Sequence, residues 1–470
     1  MSETLVEQRS PVAQARRFEP VVVAIVCNWC TYAGADMAGT TRRVYPPNVR
    51  LVRVPCTGRV SPLHVLRAFE QGADGVLVSG CHPGDCHYVH GNLLARRRLA
   101  VLRALLDFVG IDTRRFHVSW VSASEGVRWA KLVETVTEAV REAGPFEAWN
   151  DSEPEETVRL PDPPPPPYSP PSPEAQEAIG RELRTLAASL LGEARVATFL
   201  GYGAGPPGRG TAPLFATDLA SASALLWNER CASNLAVYLA GPHRVQGKVA
   251  VVLKACDARA LACLVQEGQV RREDLVRVGV RCPGMWEDGR LALKCYACDG
   301  EVAREADFTV SPEGIEPGSR RSASPRPVAS DPRDAQIGFL EGLTPGERWA
   351  FWRRQFDRCL RCYACRAVCP LCFCGTCISE QHRPQWIPVS IGLPGNTLWN
   401  AIRAHHLAGR CAGCDECSRV CPARLRLDLL NRRLSVEIER RFGYRAGEDE
   451  TAAPPLATFR PEDPQEFIHA

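Results

Sequence analysis

The stretch VVVAIVCNWCTYAGAD, Val21 to Asp36, runs from β-branched residues through two cysteines into small residues. A strand that delivers a loop and then a helix is the opening unit of a parallel α/β sheet, and ligands of such sheets sit just beyond the strand ends. A phosphate-binding loop would place glycine directly after the strand, whereas this one has Cys27 and Cys30. Three readings are open for such a pair: a zinc clip, a redox dithiol, or part of a metal cluster.

The same pattern recurs outward from this point. VRLVRVPC (Val49 to Cys56), GVLVSGC (Gly75 to Cys81) and FHVSWVSAS (Phe116 to Ser124) read as further strands. Between them lie helical patterns: SPLHVLRAFEQG, with Ser61 as N-cap and Pro62 at N1, and a run from Asn92 to Val109. A parallel sheet covered on both faces is expected. Cys27, Cys56 and Cys81 then each end a different strand at the carboxyl edge, and the tight turn CHPGDC brings Cys86 beside Cys81. Four of these five thiolates could hold a 2Fe-2S cluster with one left over; a structural zinc site and a dithiol at Cys27 and Cys30 are the alternatives. His82, His87 and His90 flank the last loop and read as solvated side chains.

The chain has 470 residues, enough for two to four domains. Its 57 basic and 54 acidic residues leave a net charge of +3, which argues against nucleic-acid binding. No apolar run reaches the roughly eighteen residues of a membrane span, and the start MSETLVEQRS has no signal-like pattern, so a cytoplasmic protein is expected. In a reducing compartment 22 cysteines read as metal ligands or catalytic thiols before disulfides.

Two composition breaks divide the sequence: PDPPPPPYSPPSP (Pro161 to Pro173), preceded by the acidic NDSEPEE, and the Ser/Pro/Gly-rich stretch from Ser311 to Asp334. The first reads as an extended spacer of roughly 40 Å. Between the breaks, KVAVVLKAC (Lys248 to Cys256), a helix from Asp257 to Glu267 and DLVRVGVRC (Asp274 to Cys282) repeat the α/β pattern. Cys256, Cys282, Cys295 and Cys298 could converge to hold a third 4Fe-4S cluster, with zinc or buried structural cysteines as alternatives, while Cys231 and Cys263 read as core residues. GYGAGPPGRG (Gly201 to Gly210) lacks the spacing of a dinucleotide loop, so nucleotide or flavin contact there is a minority reading.

The last third opens with a capping box, Thr344 and Glu347 around Pro345, and then repeats one spacing twice. CLRCYACRAVCP carries Cys359, Cys362, Cys365 and Cys369, and CAGCDECSRVCP carries Cys411, Cys414, Cys417 and Cys421. Each is C-x2-C-x2-C-x3-C-P, the run that binds 4Fe-4S clusters, in which the fourth cysteine serves the other cluster. The expected sets are Cys359, Cys362, Cys365 and Cys421 for one cluster, and Cys411, Cys414, Cys417 and Cys369 for the other. Cys372, Cys374 and Cys377 fit no spacing rule. Arg348, Arg353, Arg354, Arg358, Arg361 and Arg366 form a locally basic run, read either as a solvated face or as a docking surface for an acidic electron carrier or partner subunit.

Over Val21 to about Gly144 the chain resembles the delta subunit of methyl-viologen-reducing hydrogenase, through CNWCTYAGAD, YPPNVRLVRVPCTGR, GADGVLVSGCHPGDCHY, Gly91 with Asn92, and SASEG. The resemblance implies a 2Fe-2S carrier that passes electrons between a hydrogenase or formate dehydrogenase and the flavin subunit of a heterodisulfide reductase complex. The remainder, through KACDARALACLVQEGQ, RCYACRAVCPLCFC and PPLATFRPEDPQEFI, looks like dicluster ferredoxin proteins related to beta subunits of deazaflavin-reducing hydrogenases and formate dehydrogenases. Some of those relatives carry FAD and reduce a soluble carrier, which is the alternative function. Soluble ferredoxin is a further expected partner.

The expected fold is α/β. A small parallel-sheet domain covers residues 18–146 and an acidic, proline-rich linker 147–174. An α/β middle domain covers 175–310 and a Ser/Pro linker 311–338. An α-helical dicluster ferredoxin-like domain covers 339–446, and a tail 447–470.

Overall fold

A computed structural model describes residues 18–149, 158–206, 210–298, 302–320 and 327–469. The stretch MSETLVEQRS, the acidic NDSEPEE and parts of the glycine-rich and Ser/Pro-rich stretches lie outside the described residues.

The first domain alternates strand and helix: β1 (Val22–Cys27), α1 (Thr31–Thr40), β2 (Val49–Val54), α2 (Pro62–Glu70), β3 (Gly75–Gly80), α3 (Gly91–Phe108), β4 (Phe116–Trp120) and α4 (Gly126–Ala143). All four strands are parallel, with β1 between β2 and β3, and β4 beyond β3. Successive side chains of β1 enter opposite faces. Val22, Ala24 and Val26 pack with Trp129 and Val133 of α4 on one side. Ile25 packs with Leu66 of α2 and Leu102 of α3 on the other. Ser61 caps α2 by accepting the Leu63 N–H at 3.2 Å, with Pro62 in the first turn. β2 departs from the expected two-sided burial: it is the edge strand, and Arg50 and Arg53 keep Leu51 and Val52 company at the surface.

The middle domain begins with α5 (Pro173–Gly192) and continues through β5 (Thr198–Ala204), β6 (Thr211–Ala216), α6 (Leu219–Ala222), β7 (Val249–Leu253), α7 (Ala255–Gln266) and β8 (Leu275–Val280). A small hairpin, β9 (Trp286–Glu287) with β10 (Arg290–Leu291), precedes β11 (Phe308–Ser311) and β12 (Gly314–Pro317). The six-stranded sheet has the order β12-β11-β8-β7-β5-β6, parallel in the centre and antiparallel at both edges. The glycine-rich stretch is therefore a hairpin between β5 and β6 instead of a strand-to-helix loop, which removes the geometry a phosphate would use. Residues at the start of the Ser/Pro-rich stretch belong to this sheet through β11 and β12.

The proline run does not hang free. Tyr168 reaches the Cys295 carbonyl at 3.2 Å, Tyr296 reaches the Pro164 carbonyl at 2.9 Å, and Gln336 reaches the Pro161 carbonyl at 2.8 Å. Proline removes backbone donors, so carbonyls are what an extended proline segment offers to its neighbours.

The cysteine-rich part is helical: α8 (Pro332–Glu341), α9 (Pro345–Asp357), α10 (Ala364–Ala367), α11 (Leu393–Leu407), α12 (Glu416–Arg419) and α13 (Leu427–Phe442). The Thr344 and Glu347 box caps α9 as the sequence suggests. Trp352 of α9 is buried against Phe108 of α3, with ring centroids 5.4 Å apart, so this part shares a core with the first domain. The chain then returns: β13 (Ile468–His469) pairs in parallel with β4 and completes a five-stranded sheet, β13-β4-β3-β1-β2. Arg97 fixes the tail by gripping Asp463 from Nε and Nη2 at 2.5 and 2.8 Å. No helix among the described residues is long and apolar enough to cross a membrane.

Candidate functional site

At the carboxyl edge of the first sheet, Cys27 is the last residue of β1, Cys56 follows β2 and Cys81 follows β3. Their loops gather the thiols in pairs: Cys27 Sγ lies 3.6 Å from Cys81 Sγ, and Cys56 Sγ 3.8 Å from Cys86 Sγ. Cys30, at the N-terminus of α1, hydrogen-bonds Cys81 from outside the first pair. The hydrogen bond from Cys81 holds the Cys27 thiol down to about 5 and pushes Cys81 far up. Backbone N–H groups already point at sulfur, from Thr31 to Cys27 at 3.3 Å and from Gly58 to Cys56 at 3.4 Å.

Two glycines make the cradle. A Cβ on Gly91 would lie 2.3 Å from Cys56 Sγ and 3.4 Å from Cys86 Sγ, and one on Gly58 would meet the Gly91 backbone at 2.9 Å. The Asn92 amide donates to the carbonyls of Cys81 and His82 at 2.9 and 2.7 Å and fixes the loop that carries Cys81. The three histidines have other roles: His82 pairs with Glu125 at 2.7 Å, His87 stacks on Trp29, and His90 packs on Phe459 of the tail.

The two repeated cysteine runs adopt the same backbone. Arg361 and Tyr363 in the first, and Gly413 and Asp415 in the second, all have φ between 45° and 68°. Left-handed residues at matching positions give each C-x2-C-x2-C segment the same curled backbone, although no three of its thiols stand close enough to hold a single metal ion among the described residues. α10 and α12 pack together and bring the runs side by side. Cys421 lines the same cavity as Cys359, Cys362 and Cys365. Cys369 acts electrostatically on Cys411, Cys414 and Cys417, and burial pushes Cys411 up to about 12 and Cys414 up to about 11. The Asn431 amide reaches Cys417 Sγ at 3.4 Å, and the Leu425 N–H reaches Cys421 Sγ at 3.5 Å. Cys372 lies against Cys369, whose hydrogen bond lowers its pKa, while Cys374 is exposed and Cys377 half-buried.

Of the basic run, the structure turns Arg348 inward to Asp107 at 2.8 Å, uses Arg361 to hold the carbonyls of Pro388, Val389 and Ser390, and pairs Arg366 with Glu380. These three contacts are structural, so the run is not a uniform basic face.

In the middle domain, α7 starts earlier than the sequence suggests, because the Lys254 N–H bonds Asp257 and closes the first turn. That places Cys256 in the first turn of α7, beyond β7, while Cys282 follows β8. With Cys295 and Cys298 they line a cavity of about 620 Å³, which Lys254 and Lys294 also border. Burial raises Cys282 to about 12. Lys254 is wholly buried, 2.7 Å from Asp257 and 2.9 Å from the Ser233 carbonyl. Lys294 donates to the Cys414 carbonyl at 2.6 Å and so joins this cavity to the second cysteine run. Cys231 and Cys263 are buried in the core, where burial raises them to about 11 and about 12. None of the 22 cysteines forms a disulfide.

Reduced thiols gathered at the ligand-binding edge of a parallel sheet, with backbone N–H groups aimed at sulfur, are the donor chemistry of an iron-sulfur protein. Residues 22–144 match the family model described as methyl-viologen-reducing hydrogenase, delta subunit. An F420-non-reducing hydrogenase iron-sulfur subunit of Archaeoglobus profundus is 49% identical over 132 residues, 28% of this chain and 96% of that protein. The iron-sulfur subunit of the vhc F420-non-reducing hydrogenase of Methanococcus voltae is 47% identical over 131 residues, 28% of this chain and 91% of its own length. In Methanosarcina mazei, one subunit of the Ferredoxin:CoB-CoM heterodisulfide reductase is 44% identical over 127 residues, 27% of this chain but only 16% of that protein. The chain belongs to the methyl-viologen-reducing hydrogenase delta-subunit family.

Proposed function

We propose that the chain is the electron-transfer subunit of a cytoplasmic anaerobic oxidoreductase complex, with four iron-sulfur sites. The observation that carries this is the pairing of thiols at the first sheet edge, Cys27 with Cys81 and Cys56 with Cys86. Two thiols per iron is the donor arrangement of a 2Fe-2S cluster, and Cys30 is then the fifth, spare thiol. Cys359, Cys362, Cys365 and Cys421 would hold one 4Fe-4S cluster, and Cys411, Cys414, Cys417 and Cys369 a second. Cys256, Cys282, Cys295 and Cys298 would hold a third. Iron-sulfur clusters, when bound, supply single-electron storage at potentials that the surrounding protein sets.

The residues of the chain do the rest. Cys369 and Cys411 pack against the middle-domain core, and Cys359, Cys365, Cys417 and Cys421 belong to or pack against the core shared with the first domain. The two ferredoxin-type sites therefore lie between the middle-domain core and the core of the first domain. The N–H groups of Thr31, Gly58, Gly413 and Leu425 donate to sulfur and stabilise its negative charge. The relatives' names support a hydrogenase on one side and a heterodisulfide reductase subunit on the other, with soluble ferredoxin as a further partner; a formate dehydrogenase in place of the hydrogenase, and flavin in the reductase subunit, rest on the resemblance alone.

The 620 Å³ cavity favours a second reading, in which FAD occupies it and the chain reduces a soluble hydride acceptor. Anaerobically purified Cys56→Ala and Cys81→Ala variants test the first reading by EPR. The 2Fe-2S signal should disappear in both while the 4Fe-4S signals persist, and survival of that signal in both would overturn the sheet-edge site. Flavin at one equivalent per chain would favour the second reading.

A further inference from the structure

Arg403 sits in the third turn of α11, 5% exposed. A guanidinium taken out of water needs partners for its donors and a counter-charge, or it destabilises the fold by several kcal/mol. Other buried arginines of the chain meet that need in ordinary ways. Arg333 faces Asp331 and Asp415, Arg97 faces Asp463, and Arg277 faces Glu450. Arg115 and Arg361, which lack a carboxylate partner among the described residues, each donate to three or more backbone carbonyls, although the Arg361 Nε, like that of Arg277, has no partner among those residues.

Arg403 does neither. It gives Nη2 to one carbonyl, that of Cys365, at 2.9 Å, and hydrogen-bonds the Cys372 thiol, while its buried Nε has no hydrogen-bond partner among the described residues. Among those residues no carboxylate pairs with it either. Burial would lower its pKa, yet the surrounding thiols of Cys417, Cys369, Cys372 and Cys365 raise it well above the ordinary value. Those thiols come from both cysteine runs: Cys365 belongs to the first proposed set, and Cys369 and Cys417 to the second. The negative charge this cation faces therefore lies in the two thiolate sites and in Cys372, which sits against Cys369 and belongs to neither set.

We propose that Arg403 is the shared counter-cation of the two ferredoxin-type sites and raises the midpoint potential of both. The inference rests on the ligand sets given above. Adding one electron to either site makes it more negative by one charge, and a fixed cation in a poorly screened interior stabilises that form. No proton or bond change is involved; the electron comes from the external reductant and returns to the oxidant.

The test is an anaerobic redox titration of the full chain, with dithionite and ferricyanide as titrants and EPR as the readout, for wild type, Arg403→Gln and Arg403→Lys. In Arg403→Gln the oxidised-to-reduced ratio of the two ferredoxin-type 4Fe-4S signals, but not of the third, middle-domain 4Fe-4S signal, should rise about tenfold at a fixed ambient potential, which for a one-electron couple is about 59 mV. The 2Fe-2S signal of the first domain should not move, and Arg403→Lys should stay within threefold of wild type. Unchanged 4Fe-4S potentials in a fully loaded Arg403→Gln protein would overturn the proposal. If that variant loads poorly, Arg403→Lys decides: a tenfold shift with the charge retained overturns it, and a wild-type titration supports it. Failure of the underlying ligand sets shows separately, as absence of two 4Fe-4S signals in the wild type.

Discussion

Replacing Asp463 by asparagine should undock the last turn of the chain while leaving the rest folded. Arg97 and Asp463 are 4% and 5% exposed and meet in a two-point contact at 2.5 and 2.8 Å. Asp463 also accepts the Arg460 N–H at 2.8 Å, and Arg97 gives Nη1 to the Pro455 carbonyl and to Thr458 Oγ1, both at 2.9 Å. Removing one charge from a buried pair destabilises by about 3–5 kcal/mol, because the other charge is stranded. At about 1.4 kcal/mol per tenfold, the open population of the tail should rise at least roughly 100-fold. Hydrogen exchange read by mass spectrometry reports this directly on peptides covering residues 455–469. The pH dependence follows from the same contact. Burial would raise the Asp463 pKa, but the Arg97 hydrogen bonds and charge hold it below the usual carboxylate range. Its stabilisation is thus fully present above the unfolded value of about 3.9 and is lost as pH falls through the lower folded value. Wild-type tail protection should be flat from about pH 8 down to about pH 5 and decline below about pH 4. Unchanged protection in Asp463→Asn at neutral pH would refute the reasoning.

Three further outcomes follow from the geometry. Gly91→Ala places a Cβ 2.3 Å from Cys56 Sγ and should abolish the 2Fe-2S EPR signal with little effect on the 4Fe-4S signals. Cys421→Ala and Cys369→Ala should each remove the cluster of the opposite run, so that Cys421→Ala and Cys359→Ala give the same EPR spectrum, whereas ligand sets confined to one run would make them differ. Glu437 is buried among Arg433, Arg440 and Arg441, which hold it down to about 2 against the pull of burial. Glu437→Gln should therefore lower stability by about 1.5–3 kcal/mol in urea unfolding at pH 7. That difference should vanish as acid protonates Glu437, between about pH 4 and about pH 2.

The strand ends were legible because β-branched runs mark strands and the cysteines stand directly after them: Cys27, Cys56 and Cys81 fall at the carboxyl edge where periodicity puts them. The repeated runs were legible for a different reason, since their spacing is set by the object they wrap. What the sequence hid depends on contacts distant in the chain. Arg97 and Asp463 are 366 residues apart, so the tail read as a terminus although it supplies β13. Gly58 and Gly91 look like loop glycines until their backbones meet beneath Cys56. The proline run read as a spacer because composition reports stiffness and not what Tyr168 and Tyr296 grip. The inward turn of Arg348 and Arg361 was equally invisible, because a run of arginines has the same pattern whether its members face solvent or a neighbouring carbonyl.

The most direct measurement of the four-site account is metal, acid-labile sulfide and flavin analysis of the full chain purified without oxygen. Three 4Fe-4S clusters and one 2Fe-2S cluster predict about fourteen iron and about fourteen sulfide per chain, with no zinc and no flavin. Iron near eight, which would leave the first and middle domains without clusters, or zinc in place of iron at those cysteines, would contradict it.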